Sequence, residues 1–244
     1  MIIKEDVMSV LMRSSTSGCA LQLPPEQLDR KLYVETNKVI ESIGGIWNRK
    51  AKAHLFDHDP EEDLEQIINT GEWTDEKKEY QFFPTPDEIA KRMVEMAEIK
   101  NGDILLEPSA GKGNIINHFP YDNDFYVFEL NEKNCQYLKE DLELEEVVCG
   151  DFLQYNVDVD KVIMNPPFSK QQDIDHILHA WSCLKDNGIL VSIVSESPFY
   201  RENKKSIAFR NWLDENNAEI ISLQEGTFKE SGTMIRSRII KVKK

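Results

Sequence analysis

From Asp103 onward, short apolar runs alternate with longer amphipathic stretches. Asp103–Glu107, Phe125–Glu129, Val147–Cys149, the run ending at Asn165, Gly188–Ser195, 219–223 and 237–243 have the length and β-branched or aromatic content of strands. Residues 114–119, 131–142, 171–184 and 205–216 carry helical spacing between them. Strands apolar on both faces and separated by helices belong to a parallel sheet covered on both sides. The last two strands are joined through Glu225–Gly232 with no helix between them, so the final strand is expected to run antiparallel. The pattern predicts an α/β fold around a seven-stranded, mostly parallel, doubly wound sheet.

The pattern differs ahead of this region. Residues 1–20 show no convincing periodicity. A helix is predicted from Pro25 to Ser42, with Leu28, Leu32, Val39, Ile40 and Ile43 as its apolar stripe and Gly44-Gly45 as its stop. Alternation from Ile46 to Phe56 predicts a hairpin with a basic turn. A second helix starts with Asp59 as cap and Pro60 in its first turn, and ends near Gly71. The charged connector Thr74–Glu79 follows, which divides the chain into a small N-terminal α+β domain, 1–76, and a larger domain, 77–244. The larger domain opens with a predicted helix start, Thr85 capping, Pro86 in the first turn and Glu88 at the capping-box position.

Composition narrows the function. The 244-residue chain has a formal net charge of −15, against a protein that coats nucleic acid through charge alone. Local basic clusters remain at Arg49/Lys50/Lys52, Arg201/Lys204/Lys205/Arg210 and Arg236/Arg238/Lys241/Lys243/Lys244. No apolar run, the longest including Gly188–Val194, approaches the roughly 20 residues that span a bilayer, and the acidic start lacks a secretory pattern. A cytoplasmic protein without membrane partners is expected. The four cysteines are scattered, as for free thiols in a reducing compartment. Neither His54/His58 nor His176/His179 has the companions of a metal site, so no metal is expected.

Candidate chemistry sits at strand ends. Glu107-Pro108-Ser109-Ala110-Gly111-Lys112-Gly113 follows the first strand of the larger domain; its glycines allow close backbone approach to a ligand, and a following helix would offer free N–H groups. It is not a P-loop, and Ile116 occupies the third glycine position of a dinucleotide fingerprint. Glu129 ends the next strand, where a carboxylate can accept from ribose hydroxyls. Asp151-Phe152 ends the third, where an acid and a ring suit an adenine. The run Val162-Ile163-Met164 stops at Asn165-Pro166-Pro167-Phe168. Two prolines force a stiff exit from the sheet, which holds an amide, a backbone carbonyl and an aromatic ring at a strand's carboxyl end.

Together these stretches resemble the amino-group methyltransferases that use S-adenosylmethionine, especially N6-adenine DNA methyltransferases of the Asn-Pro-Pro-Phe type such as those carried by phages and mobile elements. Gln81-Phe82-Phe83-Pro84-Thr85-Pro86 resembles their N-terminal cofactor motif, and Gly226–Arg238 the hairpin closing their class I, Rossmann-like fold. The resemblance spans 80–244; it leaves out the N-terminal 75 residues and any large target-recognition domain. It implies cofactor contacts from Phe83, Thr85, Glu107, Pro108, Ser109, Ala110, Gly111, Gly113, Glu129, Asp151, Phe152 and Asn165, and catalysis by Asn165, Pro166, Pro167 and Phe168. Adenine's exocyclic amine is a poor nucleophile because its lone pair is delocalised. If the Asn165 side-chain oxygen and the Pro166 carbonyl each accept one N–H, the nitrogen becomes tetrahedral and its lone pair points at the methyl group. Phe168 then stacks on a flipped or single-stranded base. The expected partner is DNA. Adenine in RNA, a glutamine side chain of a protein, or a non-catalytic cofactor-binding role are the alternatives.

Overall fold

The computed structural model describes residues 2–73, 84–144, 146–223 and 236–244. The connector Thr74–Glu79, Phe82-Phe83 and most of Gly226–Arg238 therefore lie outside the described residues.

The N-terminal unit comprises α1 (Glu5–Met12), β1 (Ser15–Ser17), β2 (Ala20–Gln22), α2 (Arg30–Ser42), β3 (Ile46–Asn48), β4 (Ala53–Leu55) and α3 (Glu61–Thr70). Its strands form an antiparallel sheet in the order β1-β2-β4-β3. The start of the chain, where periodicity allows a short element or a poorly ordered stretch, forms the short helix α1, whose Val7, Met8, Val10 and Leu11 make a buried face. Helix α2 begins later than predicted because Asp29, not the Pro25 region, caps it, accepting from the N–H groups of Lys31 and Leu32. Helix α3 starts one residue later than predicted, with Pro60 rather than Asp59 at its cap, although the Asp59 carboxylate still accepts from Glu61 N–H at 3.0 Å. It ends at Gly71 with φ +69° as expected. Leu21, Ile40, Ile67 and Ile68 are fully buried in this unit's core.

The larger unit comprises α4 (Asp87–Met96), β5 (Leu105–Glu107), β6 (Phe125–Glu129), α5 (Glu132–Glu140), β7 (Val147–Cys149), β8 (Val159–Met164), α6 (Gln172–Cys183), β9 (Leu184–Ser195), α7 (Ser197–Tyr200), α8 (Lys204–Glu215), β10 (Glu219–Ser222) and β11 (Ser237–Lys243). These give a seven-stranded sheet in the order β10-β11-β9-β8-β5-β6-β7. Strands β5 to β9 pair in parallel, and β11 lies antiparallel between β9 and β10. The two faces bury separate cores, one with Met93, Ile115 and Ile163, the other with Phe128, Ile177 and Phe209. The helix predicted over 114–119 reduces to a 3-10 turn at Ile116–His118. Ile115, Ile116 and Phe119 are all buried there, which favours a tight turn over a helix with one apolar stripe. Helix α4 has Pro86 at its cap and no side-chain cap bond, so Thr85 does not serve as the predicted cap.

Chain order steps from β5 outward through β6 to β7 on one side, and from β8 to β9 on the other. The switch point lies between β5 and β8, and in open α/β sheets the ligand crevice opens at the carboxyl ends there. The two units meet where α3 packs against residues 169–171 and α7, and Tyr200 packs against the N-terminal core. No helix among the described residues is long and apolar enough to cross a membrane.

Candidate cofactor and amine site

The loop after β5 is closed by β6. Ala110 N–H donates to the Phe128 carbonyl at 3.0 Å, and Gly111 N–H donates to Glu129 Oε2 at 2.6 Å. Gly111 and Gly113 have φ of +57° and +78°, which L side chains resist. The space beside Gly113 is taken by protein: a Cβ there would come within 2.5 Å of Leu142 and 3.2 Å of Leu138. The missing Cβ of Gly113 thus lets the loop pack against α5 and the turn after it. Pro108, Ala110 and Gly111 are buried and Ser109 is half-buried. Glu107 is 1 % exposed, and its Oε2 has no hydrogen-bond partner. Burial first, and the neighbouring Glu129 carboxylate second, push its pKa well above the usual carboxylate range. A buried acceptor without a partner behind a glycine loop fits a ligand carrying a cationic or N–H group.

Glu129 lies at the carboxyl end of β6 and is 9 % exposed. Its Oε1 accepts from Asn131 N–H at 2.7 Å, so each carboxylate oxygen holds one backbone amide and keeps a second lone pair. Asp151, half-buried after β7, caps the turn Phe152–Gln154 by accepting from Leu153 N–H at 3.0 Å. Phe152 is not the open stacking ring read from its position. It is 2 % exposed, with Phe128 at 5.4 Å and His179 edge-on at 4.8 Å. An apolar side chain that the sequence reading passed over, Leu130, follows Glu129 directly and is 66 % exposed. Its place after a strand-end acid is legible in the sequence; its exposure is not.

Strand β8 delivers Asn165 to the other side of the switch point. Register places Leu106 opposite Val162, so Glu107 and Asn165 leave neighbouring strands at the same end of the sheet. Asn165 Nδ2 donates to the Thr85 hydroxyl at 3.1 Å, and Thr85 is 4 % exposed. That bond distinguishes the two ends of the amide and is what Thr85 does in place of capping α4. Pro166 is buried and Pro167 half-buried. Phe168 is 4 % exposed and belongs to the core on one face of the sheet, whereas its position suggested a presented ring. Beyond it, Lys170 (φ +54°) and Gln171 (φ +57°) are both left-handed, a conformation costing roughly 1–2 kcal/mol per non-glycine residue. Lys170 N–H is held at 2.9 Å by Glu65 Oε2 of α3. Sequence reasoning missed Glu65, since nothing local connects it to a loop so distant in the chain.

Of the basic clusters, half the members are held in internal ion pairs. Arg201 pairs with Glu61 and Glu65, Lys205 with Asp175, Arg210 with Glu202, Arg236 with Glu5 and Lys241 with Glu98. Arg238 pairs with Glu196 and lies 4.0 Å over the Phe199 ring. Arg49, Lys50 and Lys52 are exposed in the β3–β4 turn and make no ion pair among the described residues. Trp47 beside them is 47 % exposed and stands 5.1 Å from the His54 ring. Among the described residues no group of three acidic, His or Cys side chains gathers as a metal site. His58 lies between Asp57 and Asp63, and His54 meets Asn37.

No family model matches the sequence. Over 95 residues the chain is 35 % identical to a probable ribosomal RNA small subunit methyltransferase A of Methanopyrus kandleri, covering 36 % of this chain and 34 % of that protein. Among solved structures, the type I restriction-modification system methyltransferase subunit from Streptococcus thermophilus superposes with a TM-score of 0.60 at 22 % identity, over 68 % of this chain and 46 % of that one. The type I restriction enzyme EcoKI M protein superposes with a TM-score of 0.56 at 13 % identity, over 99 % of this chain and 58 % of that one. The chain thus spans less than two thirds of each of these proteins. The order of the sheet, its antiparallel penultimate strand and these superpositions give the chain the Rossmann-like fold of class I S-adenosylmethionine-dependent methyltransferases.

Proposed function

We propose that the chain transfers a methyl group from S-adenosylmethionine to the N6 amine of adenine in DNA, with an accessory domain over 1–76 and the transfer domain over 77–244. One observation carries the reading: the glycine loop and Asn165-Pro166-Pro167 leave adjacent strands at the switch point, with Asn165 tied to Thr85. The cofactor, when bound, supplies an electrophilic methyl group on a sulfonium. By the resemblance, Phe83, Thr85 and the Pro108–Gly111 backbone would hold its methionine part, and Glu107 would offer the unpartnered acceptor. Glu129 has lone pairs left for ribose hydroxyls, Leu130 gives the adenine an apolar face, and the Asp151 carboxylate accepts from its amino group. Phe152 supports that wall from behind.

On the substrate side, Asn165 Oδ1 and the Pro166 carbonyl accept the two amine hydrogens and make the nitrogen's lone pair available. Thr85 fixes the amide so that its oxygen, not its NH2, is turned to the amine. The part proposed for Phe168 is to back the target base at the clamp, with its ring packed in the core behind Asn165-Pro166-Pro167. Arg49, Lys50 and Lys52 with Trp47 supply the exposed cations and ring that a nucleic-acid partner calls for. A second reading, adenine in RNA, draws on the likeness to a ribosomal RNA methyltransferase. Incubation with methyl-labelled cofactor and DNA, RNA or protein extract tests both. Label recovered as N6-methyladenine in DNA supports the first, label in RNA alone the second, and label in none overturns both.

A further inference from the structure

The N-terminal unit reaches the amine site through one buried carboxylate. Glu65 of α3 is 3 % exposed. Its Oε2 accepts from Lys170 N–H at 2.9 Å, its Oε1 accepts from the Ser197 hydroxyl at 3.1 Å, and Arg201 stands 3.4 Å from the same Oε1. The loop it grips carries two consecutive left-handed residues, Lys170 and Gln171, immediately after Phe168. Gln171, 4 % exposed, is pinned from the other side: its Nε2 donates to Ser206 at 2.6 Å, and its Oε1 accepts from Asn203 at 3.0 Å. A backbone conformation this unfavourable persists only where surrounding bonds over-determine it. Here those bonds come from α8 on one side and from the N-terminal unit on the other.

We infer that Glu65 is a positioning residue for methyl transfer: by holding Lys170 N–H, it sets the loop that carries Phe168 beside Asn165-Pro166-Pro167, so the N-terminal unit completes the amine site. The inference rests on the proposed function for its kinetic part only. The carboxylate suits the task because it meets an N–H, a hydroxyl and a guanidinium at once, of which the Lys170 N–H needs only one acceptor oxygen. Glu61 pairs with Arg201 and, among the described residues, makes no hydrogen bond or ion pair to the loop, and so separates docking of the two units from positioning.

The test uses the full chain with Glu65→Ala, Glu65→Asp, Glu65→Gln and Glu61→Ala, read by amide hydrogen exchange and by kinetics. Exchange at 168–171 should rise tenfold or more in Glu65→Ala while β5 and β8 stay protected. The kcat on an adenine-containing DNA should fall about tenfold with the cofactor Kd within twofold. Glu65→Gln, which keeps an acceptor for Lys170, should recover most of both; Glu61→Ala should match wild type. Glu65→Asp keeps the charge for Arg201 but shortens the reach, and should show the loop effect even where Glu65→Ala does not fold. Unchanged loop exchange in Glu65→Asp and Glu65→Ala, or an equal loss in Glu61→Ala, overturns the inference. If the wild type methylates none of the nucleic acids offered, the functional reading fails, and the exchange result alone then decides whether Glu65 holds the loop.

Discussion

Asn165 Nδ2 donates to the hydroxyl of Thr85 at 3.1 Å, joining residues 80 positions apart at the centre of the crevice. The bond assigns the amide's orientation, and its loss lets the amide turn. Thr85→Val keeps the shape and removes the acceptor. It should lower kcat about 2- to 10-fold, the worth of one neutral hydrogen bond of roughly 0.5–1.5 kcal/mol. Asn165→Ala removes the acceptor for the amine itself and should cost about 100-fold or more, as for other preorganised acceptors and donors. Single-turnover methyl transfer with saturating cofactor reads both, and near-normal turnover in Asn165→Ala would sink the proposed mechanism.

Glu129 closes the glycine loop as well as facing the crevice. Glu129→Ala frees the N–H groups of Gly111 and Asn131 and should weaken cofactor binding about 10- to 100-fold, since hydrogen bonds to a charged acceptor are worth ~1.5–3 kcal/mol. Titration calorimetry with the cofactor's demethylated product measures it; an unchanged Kd would remove Glu129 from the cofactor wall.

Gly113→Ala combines a positive φ with a Cβ 2.5 Å from Leu142. The change should destabilise the fold by about 1–3 kcal/mol, the usual cost of overpacking. Adding Leu142→Ala should return part of the loss, because the two share one space. Thermal melts of the single and double variants test the coupling.

Glu107 imposes a pH dependence of definite sign. Its folded-state pKa is raised by burial, so the folded chain holds the proton more tightly than the unfolded one. The contribution is fully present below the ordinary glutamate value and is lost as pH rises through the raised folded value. Asp173 behaves likewise: burial pushes it to about 6 despite accepting from Ser195 and Ile174. Denaturant melts between pH 4 and 8 should show that Glu107→Gln flattens part of this slope and binds cofactor more weakly. A slope identical to wild type would mean that Glu107 stays ionised in the fold.

Much of this was legible because the signals are local. Strands β5 to β9 each carry an apolar run, such as Val162–Met164 or Gly188–Val194, and Asn165-Pro166-Pro167 sits where one such run ends. The illegible parts are long-range. Thr85 has the composition of a cap, and its partner lies across the crevice. Arg201 looks like a phosphate-binding cation until α3 brings Glu61 and Glu65 to it. Phe152 and Phe168 stand where a stacking ring belongs, yet periodicity says nothing about whether a strand-end side chain turns outward or back into the core. Helix α1 escaped notice because eight residues offer too few turns for a periodic signal.

The position of β11 governs how such a chain can be made. Ser237–Lys243 inserts between β9 and β10, pairs with both, and buries Ile239, Ile240 and Val242. During synthesis, every residue of the glycine loop and of Asn165-Pro166-Pro167 leaves the ribosome before this strand does. Until it arrives, the long edge of β9 is an unpaired, apolar template of the kind that recruits other chains. The nascent protein thus carries its chemistry early and its protection against aggregation late, and chaperone demand should peak in the interval between the emergence of β9 and that of residue 243.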